Sequence, residues 1–215
     1  NPDAVMYAHH NGTAWTIEVI DATPYYAYDT SIDLDSSGSA HITYQVYNNS
    51  CGTCYNLRYS YHNGSEWVYE DIKDYSSNWA YSNTGRNNQI KLNSTDVPHV
   101  VFFDDYYDDV YLSVRVNGSW SSSSVDDSGG IYTIYGERAI SLAIDSTDGL
   151  HVAYYDLGGR FLEYAHRGPG ESSWTKTNVH DQGNHYIGTS VSIALDSADR
   201  PHIAYHDRTH WDLEY

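Results

Sequence analysis

The chain has 215 residues and carries 29 acidic against 11 basic side chains, a formal charge of −18. So few cations argue against a nucleic-acid binder, which displaces counterions with clustered Lys and Arg, and against attraction to anionic membrane surfaces. With 23 Tyr, 6 Trp and 3 Lys, no 3.6-residue apolar stripe and no apolar run near the ~18 residues of a membrane span, the composition predicts strands and no membrane insertion.

Residue 1 is Asn and no signal peptide is visible, so a processed protein or an excerpt of a longer one is expected. A first hairpin is predicted from Val5 to His10, through Asn11-Gly12, a pair that suits a two-residue turn with both positions at positive φ, into Trp15 to Val19. Next comes Ile32-Asp33-Leu34-Asp35-Ser36, a polar turn, and His41-Ile42-Thr43-Tyr44. Leu57 to His62, Asn63-Gly64 and Trp67 to Glu70 follow as another hairpin. The same four segments return as Ile90 to Ser94, His99 to Phe102, Tyr111 to Val116 and, after Asn117-Gly118, the strand of Trp120. They return again as Leu142 to Ser146, His151 to Tyr154, Leu162 to Arg167 and the strand of Trp174. A last copy begins at Ser192-Ile193-Ala194-Leu195-Asp196 and runs through Pro201-His202-Ile203-Ala204-Tyr205-His206-Asp207. The residues of 47–56 and 73–88 read as surface loops.

The steps between copies are 58, 52 and 51 residues, counted from Ile32 to Ile90, Leu142 and Ile193. Four strands at a period near fifty predict an all-β fold, a four-bladed β-propeller of four-stranded antiparallel blades, or an excerpt of a larger propeller. The whole of 1–215 is then one domain. Its repeats lie at about 31–72, 89–126, 140–181 and 190–215, the last closed by 4–21. His41, His99, His151 and His202 are expected to pack between blades with their ring nitrogens bonded. The ends compete, however: Trp211, Leu213 and Tyr215 repeat the place that Val5 and Tyr7 already fill. Either the chain is cut from a longer propeller, or one of the two strands goes elsewhere, and an unpaired strand is a template for another copy of the chain.

Candidate chemistry is sparse. Cys51 and Cys54 are expected to close a disulfide, since a zinc site would need two more ligands of known spacing. Asn11, Asn48, Asn63, Asn93 and Asn117 open sequons and are candidate N-glycosylation sites. Asp104, Asp105, Asp108 and Asp109 crowd one turn, either as calcium ligands or as a solvated acidic loop; no other cofactor is expected. His202 and His206 share a strand face, but packing roles are expected for them. No Gly-x-Ser-x-Gly or His-Glu-x-x-His occurs, and Glu163 and Glu214 fall at equivalent strand positions, so no catalytic residue is assigned and the chain is expected not to be an enzyme. Loop aromatics Tyr75, Trp79, Tyr106 and Tyr107 are candidates for stacking on sugars.

The stretch Ser192 to Asp207, together with Leu162-Glu163-Tyr164-Ala165-His166 and Trp174, resembles a repeat of uncharacterised extracellular β-propeller proteins of archaea and bacteria. The resemblance spans nearly the whole chain and implies a fold and an extracellular or cell-surface setting, with no activity attached. Two better-known repeats fit poorly. The sialidase box Ser-x-Asp-x-Gly-x-x-Trp is unmatched, and Asp33-Leu34-Asp35-Ser36-Ser37-Gly38 only loosely echoes the integrin-type calcium loop. The expected function is a structural, filament-forming or cell-surface subunit whose partners are copies of itself. The alternative is a lectin-like glycan-binding module, and a glycoside hydrolase is a weaker one.

Overall fold

The computed structural model describes residues 4–22, 26–48, 54–73, 84–104, 109–127, 139–156, 159, 161–180, 187–207 and 212–214. Every regular element among them is a β-strand, and no helix is long and apolar enough to cross a membrane. β1 (Val5–His10) and β2 (Trp15–Asp21) form a hairpin that is a sheet of its own. β3 (Ala27–Leu34), β4 (Ala40–Asn48), β5 (Cys54–His62) and β6 (Trp67–Lys73) make the first four-stranded sheet. β7 (Thr84–Leu92), β8 (Pro98–Asp104), β9 (Asp109–Val116) and β10 (Ser119–Asp126) make the second. β11 (Ile140–Ile144), β12 (Leu150–Asp156), β13 (Phe161–Arg167) and β14 (Thr175–His180) make the third. β15 (Ile187–Leu195), β16 (Pro201–Asp207) and β17 (Asp212–Glu214) make a fourth sheet of three strands. All pairs are antiparallel between chain neighbours.

The sheets stack side by side in chain order, with β3 against β7, β7 against β11 and β11 against β15. Alternation explains this. In the first strand of each repeat one set of side chains turns back to the preceding sheet, and Ile90, Leu142 and Ile193 are buried there. Leu57, Tyr59 and Ile72 of the first sheet enclose Ile90, Val100 and Phe102 of the second. Val101, Phe103 and Leu112 enclose Leu142, Val152 and Tyr154 of the third. Each such aliphatic side chain contributes about 1.5–3 kcal/mol that an isolated sheet would forgo.

The turns between first and second strands are built alike. The Oδ1 of Asp35, Asn93, Asp145 or Asp196 accepts the amides two and four residues on. The residue three places on sits at positive φ: Gly38, Asp96, Asp148 and Asp199. These aspartates also clasp neighbouring turns. Asp96 accepts from the amide and hydroxyl of Ser36, Asp148 from those of Ser94, and Asp199 from those of Ser146. Gly38 has no side chain to offer, so the run of clasps begins at the first sheet.

Two details differ from the sequence reading. Of the three Asn-Gly hairpins, the two-residue turn with both residues at positive φ is found at Asn117-Gly118 alone. Asn11 and Asn63 instead accept, through Oδ1, amides two and three residues on, which builds four-residue loops. Ring closure by 4–21 is also not what the strand pairing shows. β17 pairs with β16 through Tyr205↔Glu214, His206↔Leu213 and Asp207↔Asp212, and β1 pairs with β2. The hairpin packs on the first sheet, burying Val5 and Ile20 against Ile42, Tyr44 and Val46, as the outer half of a preceding blade would.

Candidate functional site

Each seam between sheets holds a polar group at the end of the outermost strand. Asp21, Lys73, Asp126 and His180 occupy equivalent places, and each reaches into the next sheet. Asp21 accepts from the Tyr44 hydroxyl (2.9 Å) and from Arg58 Nη1 (2.8 Å), while Arg58 Nε donates to Asp71 (2.9 Å). Burial together with Asp21 holds the Tyr44 hydroxyl far above its ordinary pKa. In the second seam Lys73 Nζ meets the fully buried Asp104 at 2.8 Å and lies over the Tyr111 ring. In the fourth, His180 Nδ1 and the Tyr205 hydroxyl are 2.8 Å apart.

The third seam is overloaded with acid. Asp126, Asp156 and Glu163 bring carboxylate oxygens within 4.8 Å of one another. The Tyr154 hydroxyl donates to Asp126 (2.7 Å), as does Lys176 Nζ (2.6 Å). Glu163 stands where Arg58 stands two seams earlier, so a cation is replaced by an acid. Burial, then the charge of Asp126, push its carboxyl up to about 7. Glu163 was read from the sequence as architectural. The signal that was available is the exchange of Arg for Glu at one repeat position.

A second recurring unit lies by the Asp turns. His41 Nδ1 bonds the Tyr59 hydroxyl with Nε2 3.5 Å from Asp35, and His151 Nδ1 bonds the Tyr164 hydroxyl (2.6 Å) with Nε2 3.2 Å from Asp145. His99 Nδ1 bonds the Val97 carbonyl oxygen instead, and His202 Nε2 lies 3.7 Å from Asp196.

At the other end of the first two sheets, a cleft of about 540 Å³ is lined by Tyr28, Asp29, Gln45, Tyr55, Arg86 and Asn87. Tyr26 and Tyr47 extend this aromatic group. Asp29 and Asn87 both sit at positive φ in strand bulges, which turns their strands out at the cleft rim.

Among the described residues, the N-terminal side of the stack carries exposed apolar side chains. Ile32 is 50 % exposed although Ile90, Leu142 and Ile193, at the same repeat position, are buried. Trp15 is 69 % exposed, whereas Trp67, Trp120 and Trp174 pack against the preceding cores. Met6, Ile17 and Val19 are exposed on the same face as Trp15, and Leu34 beside Ile32. A cleft of about 180 Å³ runs between β1 and β3, lined by Val5, Met6, Tyr7, Ser31, Ile32 and Ile42.

The residues singled out from the sequence are scattered. Cys54 is disulfide-bonded, and Cys51 lies outside the described residues. Asn11, Asn63 and Asn117 are in exposed turns, Asn93 is half-buried, and Asn48 falls within β4. Asp104 is corrected as a calcium ligand: it is a buried strand residue whose charge Lys73 meets. Asp109 begins β9 opposite it, and Asp105 and Asp108 lie outside the described residues. So do Tyr75, Trp79, Tyr106, Tyr107, Trp211 and Tyr215. Leu213 is in β17. Val5, the first residue of β1, is buried against the first sheet, and Tyr7 of the same strand packs against Trp67.

No protein family matches the sequence, and no curated protein matches it. Solved structures do resemble the fold. The intramolecular trans-sialidase of leech aligns over 95 % of this chain and 33 % of its own, at 12 % identity and a TM-score of 0.52. The intramolecular trans-sialidase of Ruminococcus gnavus aligns over 95 % and 46 %, at 12 % identity and 0.53. A protein of unknown function from Dyadobacter fermentans aligns over 97 % and 66 %, at 10 % identity and 0.60. The chain thus spans between a third and two thirds of the length of these proteins. The likeness shows a sialidase-like, propeller-type all-β fold. It also corrects the expectation that the chain is not an enzyme: two of the three neighbours are enzymes on this fold, so the missing motifs do not exclude catalysis.

Proposed function

We propose that this protein is an extracellular or cell-surface subunit that assembles with copies of itself, each copy completing the open propeller of the next. The observation that carries the reading is the exposure of Ile32 and Trp15, since Ile90, Leu142 and Ile193 are buried and Trp67, Trp120 and Trp174 are partly buried against the preceding cores. The opposite face of the stack has matching character. Ser192, Ala194, His202 and Ala204 occupy the places of Ser141, Ala143, His151 and Ala153, the face of the third sheet that the fourth covers. The face that needs covering and the face that covers are therefore the two halves of a contact made repeatedly inside one molecule.

In the proposed contact, β15 and β16 of one copy enter the vacancy beside β3 of another, and β16 pairs with β1. The internal pairing of β12 with β13 supplies the register, since Tyr155↔Leu162 and Val152↔Ala165 map onto His206 opposite Val5 and Ile203 opposite Ala8. β17 holds that edge through three residue pairs, whereas β1 offers six strand residues, so β17 is the strand to yield. The sequons at the exposed turns of Asn11, Asn63 and Asn117 fit an extracellular setting. Light scattering of the intact protein checks the assembly: particles larger than one chain that shrink to single chains on Ile32→Asp with Leu34→Asp are expected, and a single chain at all concentrations contradicts it.

A second reading, carbohydrate binding, draws on the Tyr- and Arg-lined cleft. Aromatic faces with amide, carboxylate and guanidinium groups at the rim suit a sugar ring. Glycan-array binding lost on Arg86→Ala is the expected result for it, and an array without hits removes it.

A further inference from the structure

We infer that Asp145, His151 and His166 of the third sheet form a binding site for one divalent transition-metal ion of the zinc type. Their ligand atoms lie within 4.8 Å of one another, and all three side chains are buried or half-buried. Two imidazoles and one carboxylate form a donor set that suits zinc, with a fourth position left to water.

The geometry favours a ligand over a packing role alone. Donors held at 2.0–2.2 Å in a tetrahedron stand about 3.3 Å apart, and His151 Nε2 stands 3.2 Å from Asp145 Oδ2. The two oxygens of Asp145 divide their work. Oδ1 takes the Thr147 amide, the Thr147 hydroxyl and the Gly149 amide, which fixes the carboxylate and leaves Oδ2 facing the imidazoles. On the far side of the ring the Tyr164 hydroxyl holds His151 Nδ1 at 2.6 Å, an outer partner of the kind that orients a ligating histidine. The His166 ring centre is 4.6 Å from that of His151.

Comparison among repeats isolates what is particular to this site. Sheet one has the same Asp35–His41 pair and the same tyrosine on Nδ1, but Tyr61 stands opposite His41 where His166 stands opposite His151. The second sheet has Val114 there, opposite His99. The residue four places after the turn carboxylate differs too. It is Ser39 in the first sheet and Gly149 in the third, where a Cβ would come within 2.2 Å of Asp145 Oδ2. The third repeat thus gains a second imidazole and loses the side chain that would crowd the carboxylate oxygen. Packing alone requires neither change.

The test uses the intact protein with Zn²⁺ in isothermal titration and Co²⁺ as a visible-absorption probe. One Zn²⁺ per chain is expected, with Co²⁺ giving the strong visible bands of a low-symmetry site with nitrogen donors. His166→Tyr, which installs the residue of the first sheet, and His166→Gln should each weaken binding about tenfold or more, while far-ultraviolet circular dichroism stays unchanged. Absence of Zn²⁺ binding, or binding equally tight in both folded variants, would overturn the site.

Discussion

Glu163 shows how one side chain departs from its repeat. In the first seam its place is taken by Arg58, whose guanidinium satisfies Asp21 and Asp71 together. In the third, Lys176 is left to face Asp126 with Glu163 and Asp156 close by. Raised from 4.5 to about 7, Glu163 binds its proton more tightly in the folded chain than in the unfolded one. The stability it allows is therefore full below about pH 4.5 and lost progressively as pH rises through 7. Glu163→Gln should flatten the pH dependence of denaturant midpoints between pH 5 and 7, and at pH 8 stabilise the fold by on the order of 1–3 kcal/mol. Unchanged midpoints across that range would show that the carboxyl is solvated.

At the scale of strands, the outer hairpins are stitched by a tryptophan that donates to a glutamate of the preceding sheet. Trp67 Nε1 meets Glu18 (2.8 Å) and Trp120 Nε1 meets Glu70 (3.0 Å), and Glu70 also takes Arg115 Nη2 at 2.7 Å. The third stitch is missing. Position 123 is Ser, too short to reach, and Trp174 Nε1 is buried without a partner. Arg167, at the place of Arg115, lies over the Trp174 ring at 4.7 Å, and burial pulls its pKa down. Ser123→Glu should supply both donors with an acceptor and raise stability by about 1 kcal/mol, measured by thermal or urea denaturation; a loss of stability would show that the strand cannot admit the side chain. Backbone demands are as local. Gly85, in the β7 bulge at φ 85°, faces Leu57, whose Cβ would lie 2.8 Å from an added Cβ. Gly85→Ala should cost about 2–3 kcal/mol in the same assay.

Strand order, the Asp-turns and the Trp positions were legible because period-2 alternation and turn residues are local signals. Hairpin length was not read correctly: Asn-Gly suggests a two-residue turn at all three places, although Trp15 and Trp67 follow their Asn by four residues and Trp120 follows by three. The seams were not legible. Asp21, Arg58 and Tyr44 lie up to 37 residues apart, and their meeting depends on how whole sheets stack. Nor did the sequence motifs separate binding from packing: His41 and His151 look alike until the residues across the strand, Tyr61 and His166, are seen beside them.

The described residues form a stack of sheets whose N-terminal side carries exposed apolar side chains. Internal seams bury the equivalents of Ile32 and partly bury those of Trp15, and the clasping aspartate of later turns is a glycine in the first turn, Gly38. The duplicated third-strand place, visible from Val5-Met6-Tyr7 and Leu213-Glu214-Tyr215 in the sequence, is held by β17, and among the described residues β2 is the one strand paired with β1. Completion of one stack by another copy is most directly tested by mixing two separately purified single variants, Ala8→Cys and Ile203→Cys, under mild oxidation. The account predicts a disulfide-linked pair containing one chain of each variant. Recovery of both variants as uncrosslinked single chains, while a chain carrying both cysteines closes a bridge within itself, would contradict it and make the ring complete in one molecule.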